Sequence, residues 1–280
     1  MVVSMNSFIF NNYGFYPETY TKFDNYYLLK YNNCDYYLYL VESIDKVFFQ
    51  YTITNNYSCF NTFFLNKYGS IITTINKNNY VLIKSNNKKF DKLFNISYYG
   101  ELIPCMWKKV WIERSEFINY NYLMLKGKDA LLDESIDYYL GLLELSISLL
   151  DGYEISTYPA YLSHIVFNSN DYYNPLNIKL DIKERDFGEY LKYLFFTDNY
   201  KMEEIVSIIE DNKNYYNYQL VLARVLYPNY YFDLFDKILK EECDSSILKN
   251  IISKIGEFRE FYHFLEVEFS KYCKIKKVLL

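Results

Sequence analysis

The sequence predicts an α+β protein with two lobes, a small antiparallel β lobe over residues 1–103 and a larger helical lobe over residues 104–280. Two observations carry this prediction. Short apolar or alternating runs recur before residue 86, whereas apolar residues recur at steps of three and four after Pro104. The segment that starts at Gly100 marks the change, because glycine and proline interrupt regular structure. Strands followed by helices in this way are typical of the α+β class.

The β lobe is predicted from runs of four to eight residues. Residues 36–41 are continuously apolar, and in 47–53 every second residue is Val, Phe, Tyr or Ile, which favours a strand. Residues 62–65 form a further short run. Residues 70–75 and 80–85 are predicted to pair as a hairpin, since the segment between them is rich in asparagine.

The helical lobe is predicted from stripes of apolar residues. Pro104 suits the first turn of a helix, and residues 133–150 form a long helix that ends at Gly152 and is expected to be the central buried one. A later stripe begins at Phe187, with Asp186 immediately before it as the expected N-cap. Further apolar stripes predict helices over 202–209, 219–226, 247–255 and 258–269.

Composition and charge exclude several classes of function. The net charge of −5 gives no electrostatic footprint for nucleic acid, and the 35 tyrosines indicate a genome biased towards A and T. The five cysteines form no CxxC pair or His/Cys cluster, so neither a zinc site nor a disulfide framework is predicted, and no metal ligands are assigned. Since no secretory leader and no membrane-length apolar run is found, the sequence predicts a cytoplasmic protein without membrane contact.

Five segments, in order, carry a resemblance to a known family. They are Met106-Trp107-Lys108-Lys109-Val110-Trp111-Ile112-Glu113-Arg114, Tyr138-Tyr139-Leu140-Gly141-Leu142, Leu162-Ser163-His164, Arg185-Asp186-Phe187-Gly188-Glu189-Tyr190 and Leu222-Ala223-Arg224-Val225-Leu226-Tyr227-Pro228. Together they resemble the endospore coat proteins of the CotS and YutH type, a branch of the aminoglycoside-phosphotransferase-like superfamily. The resemblance covers residues 60–270 and implies a protein-kinase-like fold with two lobes.

The resemblance also implies where phosphotransfer chemistry would lie. Active members use a His-x-Asp turn whose aspartate orients or deprotonates the acceptor hydroxyl. Here the turn is His164-Ile165-Val166, and valine cannot accept a proton. No catalytic residue is therefore assigned, and His164 is interpreted as a structural residue of the turn.

Three residues remain as weak candidates for nucleotide binding. Asn177 corresponds to the aspartate that holds Mg²⁺ on the phosphates, and a neutral amide is a poorer ligand for a hard cation. Asp181, four residues later, could replace it or could be an ordinary loop carboxylate. Lys84 ends a strand that resembles the one whose lysine binds phosphates, although a lysine at a strand end is more often simply solvated. Asp186 is interpreted as structural, tying the helix start to the His164 turn.

These inferences favour a catalytically degenerate member without a cofactor. The resemblance implies a structural or assembly role in the endospore coat, with synthesis in the cytoplasm, deposition in the coat and other coat proteins as partners. Two alternatives stay open at this point. One is an active small-molecule phosphotransferase that uses ATP and Mg²⁺, and the other is a nucleotide-binding sensor without turnover.

Overall fold

The chain divides into two compact units in a computed structural model that describes residues 4–153, 155–198, 200–276 and 278. The first unit holds the described residues up to Tyr98 together with Leu162–Leu180. The second holds Tyr99–Tyr161 and the described residues from Asp181 onward. The prediction of one division at residue 103 placed 162–180 with the helices, whereas these residues group with the β sheet.

An antiparallel sheet forms the frame of the first unit. Its strands run in the order β1-β2-β3-β6-β4, with β5 paired to β6, and every pair is antiparallel. The predicted hairpin is confirmed, since β5 pairs with β6 across Asn76 and Lys77, whose positive φ angles of 51° and 68° suit a tight two-residue turn. The elements are α1 (Met5–Tyr13), β1 (Thr19–Lys22), β2 (Tyr26–Tyr31), β3 (Cys34–Val41), α2 (Ile44–Thr54), β4 (Thr62–Phe63), β5 (Thr73–Ile75) and β6 (Asn78–Lys84).

Strand β6 lies at the centre of the core of this unit. Successive side chains of a strand point to opposite faces, so Leu82 packs with α1, whereas Val81 and Ile83 pack with Val47 of α2. All three β6 residues are fully buried. The continuous apolar run of this strand is thus explained by its two covered faces.

Helix α2 corrects the predicted strand over residues 47–53. Ser43 caps it by accepting from the backbone N–H of Lys46 over 3.3 Å. The buried side chains Val47, Gln50 and Thr54 follow helical spacing, and two of them are polar. The period-of-two pattern considered only the apolar residues, so it missed the helical face.

Helices dominate the second unit, which confirms the predicted α+β class with a sheet lobe and a helical lobe. Helix α7 is buried along its whole length, so it is the central helix of this unit. This corrects the prediction that the helix before Gly152 is the central buried one. The helices are α3 (Trp107–Leu125), α4 (Ala130–Ser148), α5 (Glu184–Phe196), α6 (Met202–Asp211), α7 (Tyr218–Leu226), α8 (Asn229–Leu239), α9 (Lys249–Ser253) and α10 (Ile255–Ser270).

Three further strands complete the chain, and two of them, at 157–164 and 178–181, interrupt the predicted helical pattern. They form a second sheet in the order β7-β8-β9, made of β7 (Ile96–Pro104), β8 (Thr157–His164) and β9 (Ile178–Asp181). A 3₁₀ turn at Pro175–Asn177 leads into β9. Only β9, with four residues, was too brief to stand out from the surrounding pattern, since β7 and β8 span nine and eight residues. No helix within the described residues is long and apolar enough to cross a membrane.

Candidate functional site

His164 stands at the end of β8, where the candidate catalytic turn begins. Its side chain is 1% exposed, and its Nε2 lies 2.8 Å from the carbonyl oxygen of Tyr172. The imidazole stacks on the Tyr172 ring with 4.1 Å between ring centroids. The ring is thus held from its edge and from its face, and the structural role of His164 stays a prediction.

Asn177 closes the loop that follows His164. Its Oδ1 accepts from the N–H of Val166 over 3.0 Å, and its Nδ2 donates to the carbonyl oxygen of Val166 over 2.8 Å. The N–H of Ile165 donates to the Asn177 carbonyl oxygen over 2.7 Å. The amide predicted as a weak metal ligand is therefore engaged at both ends by the backbone of the residue in the base position. An aspartate at position 177 could not donate the second of these bonds.

Two further side chains of the first unit, Tyr39 and Gln50, bond to the same loop. The Tyr39 hydroxyl, on β3, accepts from Asn174 Nδ2 over 3.1 Å. Gln50, on α2, donates through Nε2 to the carbonyl oxygens of Leu176 at 2.5 Å and Ile178 at 3.1 Å. Because Gln50 is buried, these bonds stabilise the loop in a dry environment.

Asp171 is a carboxylate of this loop that the sequence analysis missed. Its Oδ1 accepts from Asn174 Nδ2 over 2.8 Å. Burial raises the pKa of the Asp171 carboxyl, whereas the Asn174 hydrogen bond and the neighbouring His164 oppose that rise. The signal that could have found it is the kinase spacing His-x-Asp-x₄-Asn, in which the residue seven places after the histidine binds Mg²⁺.

The strand order bears on Lys84, the candidate phosphate ligand. In protein kinases that lysine lies on the third strand and pairs with a glutamate of the following helix. Here the third strand is β3, which precedes α2 and contains no lysine between Cys34 and Val41. Lys84 ends β6 instead, where it is half-buried and forms no ion pair with another described residue. Its nucleotide role stays a prediction that the strand order does not favour.

Asp181 is held by three groups of the second unit. Its Oδ1 accepts from Trp107 Nε1 over 2.9 Å and from the N–H of Ile182 over 2.9 Å. Its Oδ2 lies 3.5 Å from Arg185 Nη1, and both side chains are buried. Because the guanidinium of Arg185 already neutralises the carboxylate of Asp181, we expect this carboxylate to bind a cation only weakly. Across the described part of the chain, no cluster of three or more acidic, His or Cys side chains has the geometry of a metal site.

Helix α5 corrects the role predicted for Asp186 as an N-cap. The helix begins at Glu184 and its cap position is Lys183, so Asp186 lies inside the first turn and is fully buried. The apolar stripe begins only at Phe187, which made the helix start seem later than it is. An acid in the first turn still interacts favourably with the helix dipole.

A buried charge cluster joins α5 to α7, and sequence reasoning missed it. Glu189 Oε1 accepts from Lys192 Nζ over 2.9 Å and from Arg224 Nε over 2.5 Å. Burial by itself would raise the pKa of Glu189, but Arg224 and Lys192 outweigh it and lower that pKa to about 2. Burial lowers the pKa of Lys192 to about 7, although Glu189 opposes the shift. The i, i+3 spacing of Glu189 and Lys192 was the available signal.

Comparisons with known proteins show the fold. Neither a family model nor a curated protein matches the sequence. Among solved structures, the chain is similar to the aminoglycoside phosphotransferase from Alicyclobacillus acidocaldarius subsp. acidocaldarius DSM 446, with a TM-score of 0.63, 10% identity and 97% of each chain covered. It is also similar to spectinomycin phosphotransferase in complex with ADP and spectinomycin, with a TM-score of 0.56 and 12% identity. The match covers 95% of this chain and 97% of the spectinomycin phosphotransferase. The chain therefore has the kinase-like fold of aminoglycoside phosphotransferases.

Proposed function

We propose that this chain is a kinase-like protein that has lost phosphotransfer and acts as a structural or assembly component of the endospore coat. The loss of phosphotransfer rests above all on Asn177, whose side chain bonds to both backbone groups of Val166. The position expected to hold Mg²⁺ thus fastens the residue that replaces the catalytic base. The contact between Asn177 and Val166 thus stands in place of both the metal ligand and the catalytic base.

Two other positions support the same conclusion. The third strand offers Tyr39 to the loop where a kinase would offer a phosphate-binding lysine. Asp181, the alternative ligand for Mg²⁺, is bonded to Trp107 and Arg185. Taken position by position, these residues do not fit a magnesium-nucleotide site.

The coat role rests on the sequence resemblance. Two of its segments, 185–190 and 222–228, fall on α5 and α7, which pack together through Gly188 and Arg224. Residues that pack two helices together stabilise the fold, so they can be retained in a protein whose catalytic turn has been lost. A fluorescent fusion followed through growth and spore formation in the source cells tests the role. Enrichment in the coat fraction is expected, and a signal confined to growing cells contradicts the coat assignment.

Nucleotide binding is the second candidate, and Asp171 is the observation that favours it. An acid lies seven residues after His164, where kinases place a ligand for Mg²⁺. A solved neighbour is a phosphotransferase in complex with ADP. A site with one acid and no base would bind a nucleotide without turning it over.

Nucleotide-dependent melting with and without Mg²⁺, combined with an ATP-consumption assay, separates these functions. The expected result for the parent is neither a melting shift nor ATP consumption. A shift that needs Mg²⁺ and disappears in Asp171→Asn would establish the sensor, and ATP consumption by the parent well above a buffer blank would establish the enzyme. Asp24→Asn, an exposed change in a turn, is the matched control for Asp171→Asn.

A further inference from the structure

Helix α10 borders a cavity of about 500 Å³, a volume within the range of small-molecule sites. Most of the described residues that line it belong to this helix, namely Gly256, Arg259, Glu260, Tyr262, His263 and Glu266. The lining positions 256, 260, 263 and 266 are three or four residues apart, so they share one side of the helix. Val278, from the segment after the helix, lines the same cavity. The cavity therefore runs along one side of α10.

Glu266 is a buried acid in the wall of this cavity. Its side chain is 8% exposed, and its Oε1 accepts a long hydrogen bond of 3.4 Å from the N–H of Val278. Its Oε2 lies 3.6 Å from Nδ1 of His263, beyond hydrogen-bonding distance, and that imidazole is 73% exposed. Glu189, which is buried to the same degree, has two basic side chains within 2.9 Å. A buried carboxylate is stabilised by a close cation, and none of the described residues gives Glu266 one comparable to those of Glu189.

The hydroxyl of Tyr262 is a second polar group at the same end of the cavity. Tyr262 is fully buried, and its hydroxyl forms no hydrogen bond with any described residue. Burial raises the pKa of Tyr262 well above its ordinary value, and the charge of Glu266 raises it further. Since the two residues are four positions apart on α10, their side chains are neighbours. Buried hydroxyls are nearly always hydrogen-bonded, so this one indicates a partner outside the described residues.

The charges around the cavity favour a small organic cation. Two glutamates and one arginine line it, which leaves an excess of one negative charge. Arg259 lies seven residues from Glu266, or about 10 Å along the helix, so the two residues line different ends of the cavity. A metal ion is disfavoured, because across the described residues no cluster of three acidic, His or Cys side chains could hold one. An ammonium group fits better, since its three N–H donors match the acceptors of a carboxylate and a hydroxyl.

We propose that this cavity binds a primary amine, whose ammonium pairs with the carboxylate of Glu266 and donates a hydrogen bond to the hydroxyl oxygen of Tyr262. The carbon chain of the amine then lies along α10, past His263. A guanidinium fits less well, because it binds both oxygens of a carboxylate and Oε1 of Glu266 already accepts from Val278. The site is independent of the function proposed above, since it uses no residue of the His164 turn.

Isothermal titration calorimetry of the full chain with hexylamine, hexanoate and hexan-1-ol tests this proposal. The three probes share one carbon chain and differ in the charge of the head group. Hexylamine is expected to bind saturably with a Kd of about 1 mM, as a ligand of this size allows. Hexanoate and hexan-1-ol should bind about tenfold more weakly or not at all, because neither supplies a cation. Equal affinities for hexylamine and hexan-1-ol, or no saturable binding of hexylamine, would overturn the proposal.

Three variants identify the group that binds the amine. Glu266→Gln keeps the shape of the side chain and removes its charge, so the affinity for hexylamine should fall about tenfold or more. His263→Lys places an ammonium of the chain itself three residues from Glu266 and should also weaken hexylamine binding. Its circular dichroism spectrum should stay that of the parent, because this side chain is exposed. Glu257→Gln, which removes an exposed acid of α10 outside the cavity, is the matched control. Hexylamine binding that survives Glu266→Gln, or that falls equally in Glu257→Gln, contradicts the assignment.

Discussion

The Nε–H of Arg224 donates to the carboxylate of Glu189 over 2.5 Å, and both side chains are almost wholly buried. Glu189→Gln removes the counter-charge of Arg224 and of Lys192 together. We expect the free energy of unfolding to fall by about 3–5 kcal/mol, because a buried charge that loses its partner is not resolvated. Urea denaturation measures the change. Asp198→Asn, at an exposed ion pair with Lys254, should cost less than about 1 kcal/mol, and equal costs for the two variants would contradict this account.

Stability should rise with pH above neutrality because of Lys192. Burial lowers the pKa of this amine to about 7 in the folded chain, whereas the ordinary value is 10.5. Between these values the unfolded chain binds the proton that the folded chain has released, so the free energy of unfolding increases with pH by up to about 1.4 kcal/mol per unit. Urea denaturation between pH 7 and about 8.5 measures the slope, and comparison with Lys192→Met, which keeps every cysteine and tyrosine, separates the contribution of Lys192 from theirs. Lys192→Met should remove this part of the slope, and an unchanged slope would show that Lys192 does not titrate there.

Gly188 should not tolerate even a methyl group. A Cβ at this position would lie 2.7 Å from the Cβ of Arg224 and 3.3 Å from the carbonyl oxygen of Val221. Since Arg224 is fixed by Glu189, Gly188→Ala must separate α5 from α7, at a cost of about 1–3 kcal/mol. Gly141→Ala in α4 meets no atom within 4 Å and should stabilise by about 0.5–1 kcal/mol. Thermal melting of both variants provides the comparison, and shifts of the same sign would refute the close approach of α5 and α7.

Asp181→Ala should destabilise the helical unit by about 3–5 kcal/mol, because it leaves the guanidinium of Arg185 without its buried partner. It also removes the acceptor of the Trp107 indole N–H. Tryptophan fluorescence during urea denaturation measures the loss. Asp211→Ala, at the exposed end of α6, should stay within about 0.5 kcal/mol of the parent. A variant as stable as the parent that has lost Mg²⁺-dependent nucleotide binding would instead identify Asp181 as a ligand.

The candidate site was predictable only in part. The resemblance placed His164 in a turn and Val166 at the position of the base, whereas β8, the strand that His164 ends, was not predicted. Asp171 had a spacing signal that was not used. The bonds of Asn177 to Val166 and of Asp181 to Trp107 were not predictable, because they join residues that are 11 and 74 positions apart.

The sequence by itself determined the class of fold, because periods of two and of about 3.6 residues are local properties that survive without a structure. It predicted the hairpin around residues 76–79 for the same reason, and the structure narrows the turn to Asn76 and Lys77. Only the tertiary structure decided that residues 47–53 form a helix, since burial of Gln50 and Thr54 depends on the loop and sheet around them. It alone decided that Glu189, Lys192 and Arg224 share one buried cluster, because α5 and α7 meet where glycine lets their backbones approach. Local pattern fixes which elements form, and packing between distant segments fixes which side chains meet.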